Sequence, residues 1–280
     1  MFRDIDTSDA RAVQAEVASI YDGLFPGRNS AFIPRAFQWL LDCFSGRHPG
    51  YQSIDASYHN LEHTLQVTLC YARLLEGYQS AGAQPALAER SFELALIAIL
   101  LHDTGYLKKQ GDNHGTGAKY TLVHVARSAE FAAAFLRDKG YAPHEILSIQ
   151  NMIRCTGVNA DFSAIPFQSE LEKNLGFALA TADLIGQMAA PDYIDKLDIL
   201  FQEFEEASRH AGQAANLFSS AEDLRRKTPA FWQDYVLPRI NGIFGGMHRY
   251  LARPLLNGRN AYLDGIETNM DRLRSSLAPV

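Results

Sequence analysis

The chain has 280 residues, of which 47% are hydrophobic and 21% charged, with a formal net charge of −6. That is enough apolar material for a sizeable core, in one large domain or a domain with an appendage. The acidic balance speaks against nonspecific nucleic-acid binding, which takes clustered cations. The only dense basic runs are Lys108-Lys109 and Arg225-Arg226-Lys227.

In chain order, the apolar spacing is helical nearly throughout. Residues 31–45 carry Phe32, Phe37, Leu40, Leu41 and Phe44 on one stripe, stopped by Gly46. Residues 58–77 carry Leu61, Leu65, Leu69 and Leu74, stopped near Gly77. Residues 86–103 are apolar on almost every side, as a central buried helix would be, and Gly105 ends them. The polar, glycine-rich stretch 104–116 reads as a loop able to move over a pocket. A helix over 117–139 closes at Gly140, and Pro143 sits in the first turn of the next, 143–155. After an irregular connection at 156–168, helices are predicted at 169–188, 191–208, 214–227, 229–244 and 258–276. Period-2 strands with hairpin turns are absent, so the fold class is all-α. No repeat or low-complexity linker divides the chain. It reads as one domain, 1–280, with the chemistry in a core over 55–190 and a helical extension over 191–280 that carries no recognisable motif.

Three widely spaced cysteines, Cys43, Cys70 and Cys155, with no CxxC pair, suit a reducing compartment better than a disulfide framework. The first six residues have no apolar signal core. The most apolar run, Leu94 to Leu101, is far shorter than the ~20 residues of a membrane span. A soluble, cytoplasmic protein without membrane or nucleic-acid partners is expected.

Three short segments carry the chemistry: Tyr58-His59-Asn60-Leu61-Glu62-His63, Leu101-His102-Asp103-Thr104-Gly105-Tyr106, and Ala182-Asp183-Leu184. On a helix, His59 and His63 share one face, one turn apart. Asp103 follows Ile97-Ala98-Ile99-Leu100-Leu101 and His102. A carboxylate buried there needs a cation or strong donors, although capping the next segment is the plainer alternative. Asp183 likewise interrupts an apolar helix, where a salt bridge is the plainer alternative. Together His63, His102, Asp103 and Asp183 make a set of two imidazoles and two carboxylates suited to a borderline divalent ion. His124, one turn before Arg127, could be a ligand of a second ion, a phosphate contact or a core histidine. His114, in the glycine-rich loop, has no spacing argument. His144, His210 and His248 read as ordinary helix residues.

Over residues 55–190 these segments resemble the HD-domain superfamily of metal-dependent phosphohydrolases, and Tyr58-His59-Asn60-x-x-His63 looks like the YHNxxH motif of cyclic-nucleotide phosphodiesterases. The resemblance implies a helical bundle with N- and C-terminal extensions. It also implies His63, His102, Asp103 and Asp183 as ligands, Asp103 as the bridge if two ions bind, and His59 as the general acid. The HDxxHxGxxN pattern is absent, as are the HD-Ile-Gly-Lys and GYP signatures of cyclic-dinucleotide enzymes. His124 matches a second-ion histidine, but the further histidine expected near Arg154-Cys155-Thr156 is missing.

The expected reaction is hydrolysis of a small-molecule phosphate ester, such as a nucleotide or cyclic nucleotide, by metal-activated water. Arg127 or Lys108 would stabilise the phosphoryl oxygens and Gln187 would contact substrate. The alternatives are a sensor that binds metal or nucleotide without turnover, and a dinuclear-iron oxygenase. The substrate, the ion (Mn, Mg, Fe, Ni, Co or Zn) and the oligomeric state are not legible in the sequence.

Overall fold

A computed structural model of the chain describes residues 3–212, 218–252 and 258–276. The described residues are all-α. The helices are α1 (Ala10–Leu24), α2 (Phe32–Phe44), α3 (Leu61–Ser80), α4 (Glu89–Leu101), α5 (His124–Asp138), α6 (Pro143–Arg154), α7 (Glu170–Met188), α8 (Tyr193–His210), α9 (Ala221–Ala230) and α10 (Ala261–Ser276). An isolated antiparallel bridge joins Tyr51 to Lys109, and no strand forms among the described residues. No helix among them is long and apolar enough to cross a membrane.

The core sits around α3, α4 and α7. Every residue from Ala95 to Leu101 is buried, which accounts for the unbroken apolar run in α4. A helix with no polar stripe is stable only when other helices cover it on all sides. Helix α7 lies close against α3 because Gly186 has no side chain. A Cβ there would stand 3.2 Å from Val67 Cα and 3.1 Å from Cys70 Cβ. That close approach, one turn from Asp183, brings this carboxylate toward α3.

Several helix boundaries depart from the sequence expectation, each for a local reason. Helix α3 starts at Leu61 because Asn60 caps it: its backbone is extended and its Oδ1 accepts from His63 N at 3.1 Å. His59 therefore lies before the helix, not one turn along it. The helix expected at 117–139 divides, with a 3-10 turn at Gly117–Tyr120 preceding α5. The N-terminal extension contains α1, capped by the Asp9 side chain. The helix expected from 214 begins at Ala221; residues 214–217 lie outside those described. Beyond Pro229 the chain widens into π turns at Phe231–Val236 and Arg239–Ile243. Prolines at 229 and 238 remove backbone donors from regular helical hydrogen bonding there.

Candidate metal centre

His63 in the first turn of α3, His102 and Asp103 at the end of α4, and Asp183 in α7 meet in the interior. His63 Nε2 lies 3.2 Å from Asp103 Oδ2, and His102 Nε2 lies 3.3 Å from the same oxygen. Asp183 Oδ1 approaches both Nε2 atoms at 3.5 Å. Donor atoms of His63, His102 and Asp103 all lie within 4.8 Å of one another. Asp183 flanks that tight group. The three members are 3%, 1% and 2% exposed.

His63 Nε2, His102 Nε2 and Asp103 Oδ2 are buried without a hydrogen-bond partner. One such atom is costly, and three facing each other call for a proton held between them or a cation. A cation satisfies all three at once, so a buried His63/His102/Asp103 group that could hold a metal ion is present. The tautomer of His102 suits that role: its Nδ1–H donates to Ile99 O at 2.7 Å, leaving the Nε2 lone pair for the group.

The electrostatics without a cation point the same way. Burial disfavours the charged His63 imidazole, but the neighbouring carboxylates of Asp103 and Asp183 outweigh it and lift its pKa to about 9. Burial alone would raise the pKa of Asp103; His102 and His63 overcome that and hold it well below the ordinary carboxylate range. Asp183 is lowered for the same reason. Protons on the imidazoles thus stand where positive charge is needed.

His124 opens α5. Its Nδ1–H donates to Thr121 O at 2.6 Å, and its Nε2 lies 3.8 Å from Asp103 Oδ1, the oxygen turned away from His63 and His102. Gly105 permits this approach, since a Cβ there would stand 2.0 Å from His124 O. Gly105 is thus a close-packing residue rather than a hinge.

His59 is held by a residue that sequence reasoning missed. Its Nδ1–H donates to Glu203 Oε2 at 2.5 Å, and Tyr58 N donates to Glu203 Oε1 at 2.7 Å. Glu203 is 3% exposed, on α8. Burial would raise its pKa, but the charge of His59 and the bonds to it keep Glu203 ionised. The His59 ring stacks on Tyr106 at 4.5 Å and stands 5.3 Å from the His63 ring. The extension over 191–280 therefore does supply the site. Its only sequence signal is an acidic residue on the apolar side of an amphipathic helix.

The other residues expected at the site have partners within the protein. Lys108 is buried, with Nζ 2.7 Å from Asp55 Oδ2 and donating to Gly115 O at 2.8 Å. Arg127 donates from Nε to Gly105 O at 2.7 Å and from Nη2 to Leu107 O at 2.9 Å, with its guanidinium 3.5 Å above the Tyr120 ring. Both bond backbone carbonyls of the stretch that follows Asp103, which must be satisfied. Gln187 bridges inside the protein. Tyr58 Oη donates to its Oε1 at 2.6 Å, and its Nε2 donates to Asp183 O at 2.8 Å. It steadies the turn that presents Asp183, and also borders a small cleft beside His63 walled by Tyr58, Gln66, Asp192, Tyr193 and Lys196. Lys196 is shared between Asp192 at 2.8 Å and Glu62 at 3.0 Å. The glycine-rich loop is fastened as well. Lys119 Nζ bonds both Asp112 oxygens, Tyr120 Oη bonds Asp112, and Thr116 Oγ1 donates to Glu206 Oε2 at 2.6 Å.

Comparison with known proteins gives one family. Residues 50–250 match the Npun_R2479-like family, and the chain belongs to it. No curated protein and no solved structure is significantly similar to the chain.

Proposed function

We propose that this Npun_R2479-like protein is a metal-dependent phosphohydrolase of the HD-domain type, acting on a small phosphate ester such as a nucleotide. One observation carries the reading: His63 Nε2, His102 Nε2 and Asp103 Oδ2 face one another in the interior with no partner. His63, His102, Asp103 and Asp183 would hold the ion. Bound there, a divalent cation supplies activation of water and charge neutralisation on a phosphoryl group.

The chain's own residues supply the proton. Glu203 accepts the Nδ1 proton of His59, which leaves Nε2 to carry the proton given to the departing oxygen. A buried carboxylate behind an imidazole fixes its tautomer and stabilises its charged form. Proton donation of this kind accounts for ~10²–10⁴ in rate. Tyr58 and Gln187 act through Asp183, keeping its turn of α7 in register with α3. Because Lys108 and Arg127 are engaged elsewhere, recognition of the phosphate falls to the cage and His59.

The test is metal analysis with a panel of phosphomonoesters, nucleotides and cyclic nucleotides. His63→Ala and Asp103→Ala each lose stoichiometric metal and hydrolysis together. Full metal content in both variants defeats the reading, and metal without turnover on any ester favours a binding protein.

A second reading, a dinuclear-iron oxygenase, draws support from His124, whose Nε2 faces the outer oxygen of Asp103. Oxygen consumption by the iron-loaded protein, absent in His124→Ala, would favour it. Ester hydrolysis under anaerobic conditions speaks for the hydrolase.

A further inference from the structure

The far end of α4 borders a second cluster of cations and rings. An open pocket of about 300 Å³ is lined by Arg35 and Trp39 of α2, Arg90 of α4, Lys139 and Tyr141 between α5 and α6, and Glu145 of α6. Arg90 precedes His102 by 12 residues, so α4 separates this pocket from the cage by roughly 18 Å along its axis. The volume is at the lower end for small-molecule sites.

The cations here differ in how they are satisfied. Arg90 is matched by Glu93 at 2.6 Å and Glu145 at 2.7 Å. Arg35 and Lys139 have no ion-pair partner among the described residues and lie instead against the Trp39 ring, 5.7 and 5.6 Å from its centroid. A cation resting on an aromatic face keeps its N–H donors directed outward. Trp39 and Tyr141 meet edge to face at 6.3 Å and give the pocket an aromatic wall. Two cations without an ion pair beside such a wall attract an anion locally despite the net charge of −6.

We propose that this pocket binds a small aromatic anion of the nucleoside monophosphate class, its phosphate between Arg35 and Lys139 and its base against Trp39 and Tyr141. The assignment does not depend on the cage, so each reading can fail alone.

Tryptophan fluorescence of the full chain tests it with AMP as the probe. The second tryptophan, Trp232, is fully buried with its Nε1 bonded to Glu267, so a saturable change in emission reports Trp39. AMP is expected to give such a change with and without manganese, and adenosine or inorganic phosphate to bind at least about tenfold more weakly, since each makes half the contacts. The double variant Arg35→Ala/Lys139→Ala, at exposed positions, should weaken AMP by about tenfold or more with an unchanged thermal midpoint. His63→Ala should leave AMP affinity as it was. No saturable response to AMP, an unaltered affinity in the double variant, or a response abolished by His63→Ala overturns the proposal.

Discussion

The cage and the loop that follows it are both polar, the cage buried and the loop exposed over 109–111 and 113–115, and they are satisfied in opposite ways. From Thr104 to Tyr120 the side chains of Lys108, Asp112, Thr116 and Lys119 find partners within the protein. Lys108 has Asp55, Lys119 has Asp112, and Thr116 is bonded to Glu206. In the cage, less than two turns of chain away, His63 Nε2, His102 Nε2 and Asp103 Oδ2 have none. Completed bonding is how a loop is held in place, whereas converging buried atoms without a hydrogen-bond partner form a group that could hold a metal ion. The cations nearest the cage in sequence, Lys108 and Arg127, belong to the loop side of that contrast, each bonded within the protein.

Four measurements would break or sharpen that contrast. The largest effect is expected from Gly105→Ala, because the new Cβ would stand 2.0 Å from His124 O. The turn carrying Asp103 must shift, and the variant should lose metal and several kcal/mol of stability; a normal thermal midpoint with intact metal would show the turn to be more pliable than its packing implies. Next comes Glu203→Gln. Metal content should remain, while turnover of esters with poor leaving groups falls by ~10² and that of an activated aryl phosphate falls less. An equal loss on both substrates would leave Glu203 a merely structural role.

A third test uses pH. The His63 pKa, lifted to about 9 without a cation, leaves the imidazole protonated at pH 7, so metal binding must release a proton. Calorimetry at pH 7 in two buffers of different ionisation enthalpy should give different heats, and equal heats would contradict it. The sign for stability follows. A pKa raised on folding contributes fully below the unfolded value near 6.5 and is lost as pH rises through about 9. The metal-free protein should weaken over that window, where the metal-loaded protein should not. The smallest effect is reserved for Lys108→Met. Loss of its bonds to Asp55 and Gly115 should cost about 1–3 kcal/mol and leave KM for a phosphate ester unchanged; a large rise in KM would return Lys108 to the substrate.

Much of the fold was readable because helix formation is local. The 3.6-residue spacing marked α2, α4, α6 and α7 nearly to their ends, with Pro143 and Gly46 as punctuation. Errors arose where a single side chain reset a boundary, as Asn60 did for α3, or where proline forced wider turns after α9. Asp103 and Asp183 stood out because a carboxylate inside an apolar run is conspicuous without any knowledge of its neighbours. Glu203 did not, since an acidic residue in an amphipathic helix looks solvated until the facing surface is known.

The sequence by itself determined the all-α class, the order of the helices from α2 onward and the residue types gathered at 63, 102, 103 and 183, since each depends on a few consecutive residues. Tertiary structure alone decided which charges are spent and which are left vacant. Glu203 meets His59 across 144 positions and Gln52 reaches Asp112 across 60. Pairing over such distances is set by how helices pack and where glycines let backbones touch, and no local pattern encodes it.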